Sequence, residues 1–265
     1  MSQNVRYATS RDGVRIAFTV EGEGPALVVT PYFLESFALE HLVPAYAEFM
    51  DRLGEGRQLI RYDYRGGGSS QRGDIQFSQD IIEDDFEAVI EAARLDRFAL
   101  WLSTTGGPVP LGYAGKHPER VTAVIAYSTF ARTLDAFTPD ALASFSQLAR
   151  SNWQLAAQLF GDMTGRREFP EASLGVADLY LQSTNGETAA RFIDGGATID
   201  TTPFLPQIKA RTLIMHRIED PLFPMSISQD LASRIPGARY IPLQGRGHLL
   251  PRQLGRRVNE RHRFP

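Results

Sequence analysis

The chain has 265 residues, 43% hydrophobic and 22% charged, the balance of an ordinary soluble globular protein with room for one large domain and an inserted subdomain. A net charge of −3 gives no reason to expect nucleic acid as a partner, and the lack of cysteine excludes disulfides, thiolate catalysis and cysteine-ligated metal. The opening stretch MSQNVRYATSRDGVRIAF has no apolar core of signal-peptide type and no apolar run approaches membrane-spanning length, so the expectation is a cytoplasmic protein without a membrane partner.

Short β-like segments come first, at 5–8 and 14–20. ALVVT at 26–30 is a continuous apolar run, as expected of a strand buried on both faces. Helical spacing over 38–53 leads to a strand at 58–64 and then to the loop RGGGSSQRGD. Its Gly66-Gly67-Gly68 lacks both the lysine of a P-loop and the spacing of a dinucleotide fingerprint, and reads as a structural turn. Ser78 can cap a helix over 79–95 in which Ile81, Ile82, Phe86, Val89 and Ile90 form one stripe. A strand at 98–102, a helix at 107–117 and a strand at 121–127 follow. Much later come a strand at 211–216, a helix at 226–235, a strand at 238–243 and a last helix near 249–261. Strands alternating with helices predict an α/β fold, with a mostly parallel central sheet covered by helices on both faces.

Residues 130–207 break this alternation: they show helical patterns at 140–160, 176–183 and 187–193 and no clear strand. An insertion between two strands of such a sheet would lie over their C-terminal ends, where ligands bind. The expected organisation is a core of 1–129 and 208–265 with a helical lid of 130–207. Phe137, Phe145, Trp153, Phe160 and Tyr180 in that lid would otherwise leave an apolar surface exposed. Part of this set is expected to line a pocket and part to glue lid to core.

With WLSTTGGP (101–108), HRIEDPLFP (216–224) and GRGHLLP (245–251) in that order, the chain resembles the α/β-hydrolase superfamily, whose nucleophile, acid and histidine follow one another in this sequence. DYRGGGSS, KHPERVTAVIAYSTFAR and LASRIPGARYIPLQGRGH are similar to the hydrolase-like domains fused to some bacterial adenylate cyclases and regulators. The resemblance covers nearly the whole chain; it bears strongly on the fold and not at all on the substrate. Carried over by position, it implies Thr104 as nucleophile, Asp220 as acid, His248 as base, and the backbone N–H groups of Phe33 and Thr105 as oxyanion hole. Glu219 and Asp135 are alternative acids. Tyr32, Phe130 and Ser103 are expected at the substrate pocket, with Tyr32-Phe33 narrowing it where many relatives have His-Gly at Pro31-Tyr32. Glu35 either meets a substrate or faces solvent.

Thr104 departs from the superfamily's G-x-S-x-G elbow, and so does Leu102 in the place of the first glycine. The elbow forces its central residue to positive φ, which a β-branched side chain resists. Placing the nucleophile at Ser103 instead puts Trp101 and Thr105 at the small positions, which is worse sterically. A chain with no nucleophile at all is the third possibility. Three functions remain open: an acyl hydrolase for a small apolar ester, lactone or thioester; a non-hydrolytic enzyme using His248 as base for elimination, cyclisation or another proton transfer; and a non-catalytic ligand-binding domain. The expected partner is a small-molecule substrate. No cofactor or metal is expected, since His41, His117, His216 and His262 are scattered without ligand spacing. The oligomeric state stays open, a homodimer being among the forms allowed.

Overall fold

Every second residue of the central strands faces the same layer of helices, and this alternation builds two apolar cores on one sheet. The computed structural model describes residues 4–165 and 170–248. Within it β1 (Arg6–Thr9), β2 (Arg15–Glu21), β3 (Ala26–Val29), β4 (Gln58–Tyr62), β5 (Phe98–Ser103), β6 (Val121–Tyr127), β7 (Arg211–Glu219) and β8 (Arg239–Arg246) form one sheet in the order β1-β2-β4-β3-β5-β6-β7-β8. Pairing is antiparallel from β1 through β4 and parallel from β4 to β8. The helices are α1 (Pro44–Gly54), α2 (Gln79–Ala92), α3 (Pro108–Lys116), α4 (Thr133–Ala136), α5 (Pro139–Ser151), α6 (Trp153–Gly165), α7 (Pro170–Ser183), α8 (Gly186–Gly196) and α9 (Met225–Arg234). Leu27, Val29, Trp101, Tyr127 and Met215 meet Phe49, Met50 and Leu53 of α1 in one core. Val28, Ile60, Leu100, Leu102 and Val124 meet α2 and α3 in the other. Helices on both faces leave the C-terminal edge of the parallel strands as the place where strand-to-helix turns converge.

The structure refines several expected boundaries. The single helix over 38–53 is a 3-10 turn, Phe37–Leu42, followed by α1, because Pro44 cannot continue a helix but suits its first position. The continuous pattern over 140–160 breaks at Asn152, whose side chain accepts the Leu155 N–H at 3.0 Å and starts α6 anew. The strand expected at 58–64 ends at Tyr62; Asp63 still donates its N–H to Ala17 C=O at 3.0 Å, while its carboxylate accepts from the Ser36 hydroxyl, Phe37 N–H and Ser69 N–H. Gly68, at φ +49, lies against this carboxylate; a Cβ there would come within 2.1 Å of Asp63 Oδ2. The helix expected near 249–261 lies outside the described residues.

Residues between β6 and β7 form α4 to α8 and a 3-10 turn at Thr202–Gln207. The two ends of this segment are tied together where it leaves the sheet: Thr133 N–H donates to Ile199 C=O at 3.0 Å and Thr201 N–H to Ala131 C=O at 2.9 Å.

Candidate active site

Thr104 and Asp220 follow directly on β5 and β7, and His248 comes two residues after β8, so the parallel sheet delivers all three to one edge. Thr104 Oγ1 stands 2.9 Å from His248 Nε2, and His248 Nδ1 stands 2.7 Å from Asp220 Oδ2. Thr104 and His248 are buried, and so is the side chain of Asp220. Thr104 has φ +49, the left-handed conformation of a sharp strand-to-helix turn, in spite of its β-branch. Such strain costs on the order of 1–3 kcal/mol and persists only where the surroundings over-determine it. They do so here. Thr129 Oγ1 donates to the Thr104 carbonyl at 2.6 Å, and the Thr105 hydroxyl donates to the Tyr32 carbonyl. The two glycines of STTGG are needed for contact, not for φ: a Cβ on Gly106 would lie 2.1 Å from Pro31 O, and one on Gly107 2.0 Å from Thr129 Oγ1.

Asp220 is held as a carboxylate. Burial alone would raise its pKa, but hydrogen bonds from His248, Ser128 and the Leu222 N–H outweigh that and hold it below the usual range. The alternative acids lie elsewhere. Glu219 pairs with Arg246 at 2.8 Å, and Asp135 pairs with Arg132. Ser103 also parts from the site: it ends β5 with an extended backbone and is absent from the cavity lining. Strand alternation explains this, because Ser103 shares the face of Ala99 and Trp101 rather than that of Leu102.

Beside Thr104 lies a cavity of about 110 Å³. Tyr32, Phe33, Thr104 and Thr105 line it from the sheet edge, and Phe130, Phe137, Phe145, Phe160, Tyr180 and Phe192 from the region between β6 and β7. Trp153 packs against the core instead. No charged side chain is among the described lining residues. No hydrogen bond to a described residue engages the N–H of Phe33 or of Thr105. Pro108 and Pro110 remove two further donors from the start of α3, so the free N–H groups concentrate in the 3-10 turn Thr104–Gly106.

Three features escaped sequence reasoning. Ser128, the residue after β6, is 1% exposed and also takes positive φ, +43. Its hydroxyl donates to Asp220 Oδ2 at 2.6 Å and lies 3.4 Å from His248 Nδ1. Tyr127 OH donates to the His248 carbonyl at 2.8 Å and anchors the loop. The only available signal was their position at the C-terminal end of a parallel strand. The third is Glu35, which neither faces solvent nor lines the cavity beside Thr104. It is 9% exposed, and Oε1 accepts the Tyr32 N–H at 2.8 Å and the Tyr46 hydroxyl at 3.3 Å. His216 is buried as well, 2.8 Å from Ser228 Oγ through Nδ1 and 3.1 Å from Phe223 O through Nε2; burial lowers its pKa and favours the neutral ring. Among the described residues no group of three or more His, Asp or Glu is placed to hold a metal ion, and no helix is long and apolar enough to cross a membrane.

Burial raises the Glu35 carboxyl from 4.5 to about 7, against the opposing hydrogen bonds from Tyr32 and Tyr46. The folded chain therefore keeps a proton that the unfolded chain releases. The resulting stability is complete below pH 4.5 and is lost as pH rises through about 7, a difference of about 3 kcal/mol. Asp63, raised by burial to about 7, acts in the same direction. Glu35→Gln should remove its own share, so urea unfolding of parent and variant at pH 5 and pH 8 should show a smaller loss in the variant. An equal loss in both would place Glu35 outside this titration.

A family model described as the alpha/beta hydrolase fold matches residues 32–251, and the chain belongs to that family. It is similar to 2-hydroxymuconate semialdehyde hydrolase of Pseudomonas sp. (strain CF600), 24% identical over 223 residues that cover 75% of this chain and 72% of the relative. Among solved structures, the enol-lactonase from Burkholderia xenovorans LB400 superposes with a TM-score of 0.81 at 20% identity, over 96% of this chain and 95% of that one. An esterase from Exiguobacterium antarcticum superposes at 0.80 and 21% identity over the same shares. These superpositions establish the fold; the three named proteins are a semialdehyde hydrolase, an enol-lactonase and an esterase.

Proposed function

We propose that the chain is an acyl hydrolase for a small, uncharged and largely apolar ester, lactone or thioester. Thr104 is the nucleophile, His248 the general base and then acid, and Asp220 the carboxylate that orients the imidazole and stabilises its cation. The observation that carries this reading is the pairing of Thr104 Oγ1 with His248 Nε2 at 2.9 Å on a backbone held at φ +49. A constrained strand-to-helix elbow accounts for a β-branched residue in that conformation. His248 takes the Thr104 proton as Oγ1 bonds to the acyl carbon, and the carbonyl oxygen becomes an oxyanion facing the Phe33 and Thr105 N–H groups. The proton passes from Nε2 to the departing alcohol or thiol. Water, deprotonated by His248, then releases the acid and restores Thr104. The uncharged lining supports neutral substrates, since an ionised group would enter without a partner. Residues 130–207 act in this reading as a lid that keeps water from the oxyanion, where a low dielectric strengthens each donor.

Fluorophosphonate labelling tests the nucleophile directly. One phosphonyl adduct is expected, mapped to Thr104 by peptide mass spectrometry and absent from Thr104→Ala. Labelling that persists in that variant, or that maps to Ser103, removes Thr104 from the role.

A second reading rests on one observation, the threonine methyl that crowds the path of attack. Here His248 Nε2 removes a proton from carbon or oxygen of the substrate, and the Thr104 hydroxyl only donates a hydrogen bond.

A further inference from the structure

Of the side chains lining the cavity, Tyr32 carries a buried hydroxyl that makes no hydrogen bond of normal geometry to a described residue, although the Thr104 hydroxyl is close enough to influence it. Four threonine hydroxyls of the same lining are committed: Thr104 with His248, Thr105 to Tyr32 C=O, Thr133 to Gly196 C=O and Thr164 to Phe160 C=O. A buried donor without a partner is costly, and a native structure that keeps one calls for an explanation. Tyr32 is also held unusually firmly for a loop residue. Glu35 accepts its N–H at 2.8 Å and Thr105 donates to its C=O. Its ring meets the His248 ring edge-on, with centroids 5.5 Å apart at 70°. A clamped backbone thus carries a phenol whose polar end is left unsatisfied beside the pair Thr104–His248.

We propose that the Tyr32 hydroxyl is a third oxyanion donor, a catalytic side chain that hydrogen-bonds the substrate carbonyl oxygen as negative charge develops on it. This rests on the acyl-hydrolase reading above. When Thr104 Oγ1 bonds to the acyl carbon, the carbonyl oxygen lies two bonds from Oγ1, so a donor beside Oγ1 is beside the oxyanion too. The electron pair of the C=O double bond moves onto that oxygen, the Thr104 proton goes to His248 Nε2, and the Tyr32 proton stays on its own oxygen throughout. Burial keeps the phenol well above its ordinary pKa, with the nearby Thr104 hydroxyl opposing this only in part, so Tyr32 remains a donor at every working pH. Its free hydroxyl selects an uncharged acyl group whose carbonyl oxygen is the polar atom entering an apolar cavity.

The test compares the parent, Tyr32→Phe and Thr104→Ala on p-nitrophenyl butyrate, with thermal unfolding of each. In Tyr32→Phe kcat should fall about 10²-fold while KM stays within about twofold, the signature of an interaction made only in the transition state. Its Tm should rise by about 2–4 °C, because removing an unsatisfied buried hydroxyl stabilises the fold. The opposite directions of the two readouts are what a structural role would not produce. A kcat within about twofold of the parent overturns the proposal. So does a lowered Tm, which would reveal a hydrogen bond serving the fold. A parent without turnover, or Thr104→Ala at the parental rate, overturns the hydrolase reading and the role of Tyr32 with it; both are seen before Tyr32 is changed.

Discussion

Thr104→Ala should lower kcat/KM for a p-nitrophenyl ester by about 10⁴-fold, and Thr104→Ser should keep or raise it. Alanine removes the only oxygen within reach of His248 Nε2 at the elbow, so no acyl-enzyme can form. Serine keeps that oxygen and loses the methyl group that crowds the acyl carbon. Two terms oppose each other in its stability. Serine still bears most of the about 1–3 kcal/mol cost of φ +49 and recovers only the share due to the β-branch, while the lost burial of one methyl costs about 0.8 kcal/mol. Stability therefore discriminates poorly and turnover is the measurement to make. Thr104→Ala at the parental rate would falsify covalent catalysis by this residue. Partial activity in that variant would favour proton transfer with Thr104 as a hydrogen-bond donor.

His248→Ala should abolish turnover under either chemistry, with a loss of about 10⁴-fold or more. Nε2 is the base in both, and no second imidazole among the described residues is placed to replace it. His216 Nε2 does lie 3.7 Å from Asp220 Oδ2, but its two nitrogens are engaged by Ser228 and Phe223. The fold should tolerate the change, because Asp220 keeps the Ser128 hydroxyl and the Leu222 N–H. Loss of the His248 partner should raise the Asp220 pKa, since the hydrogen bond from His248 is the largest influence opposing burial. A Thr104→Ala/His248→Ala double variant should be no slower than either single one, because the two residues act as a unit. Additive losses would mean that they serve different steps.

The alternation of elements was legible because each strand and helix carries its own period. Val121–Tyr127 falls where its β-branched run puts it, and Ser78 caps α2 by accepting the Ile81 N–H at 3.2 Å. The positions of Thr104, Asp220 and His248 were legible too, since each follows a strand of a parallel sheet, and such strands end at a common edge. Ser103 went astray because its side is set by which face of β5 meets α1. Ser128 and Glu35 were illegible for a related reason. Ser128 reads as a small residue after a strand until Asp220, 92 positions later, is brought to its hydroxyl. Glu35 reads as a surface carboxylate until Tyr46 closes over it. By itself the sequence determined the order of elements and the parallel sheet, because periodicity and strand ends are local properties. The resemblance to the α/β-hydrolase superfamily then singled out Thr104, Asp220 and His248 among the residues that follow its strands. Only the tertiary structure decided that Thr104 and His248, 144 positions apart, meet at 2.9 Å, that Ser128 joins Asp220, and that the Tyr32 hydroxyl stays unpaired. Distances between side chains on different strands depend on register and packing, which no single segment encodes.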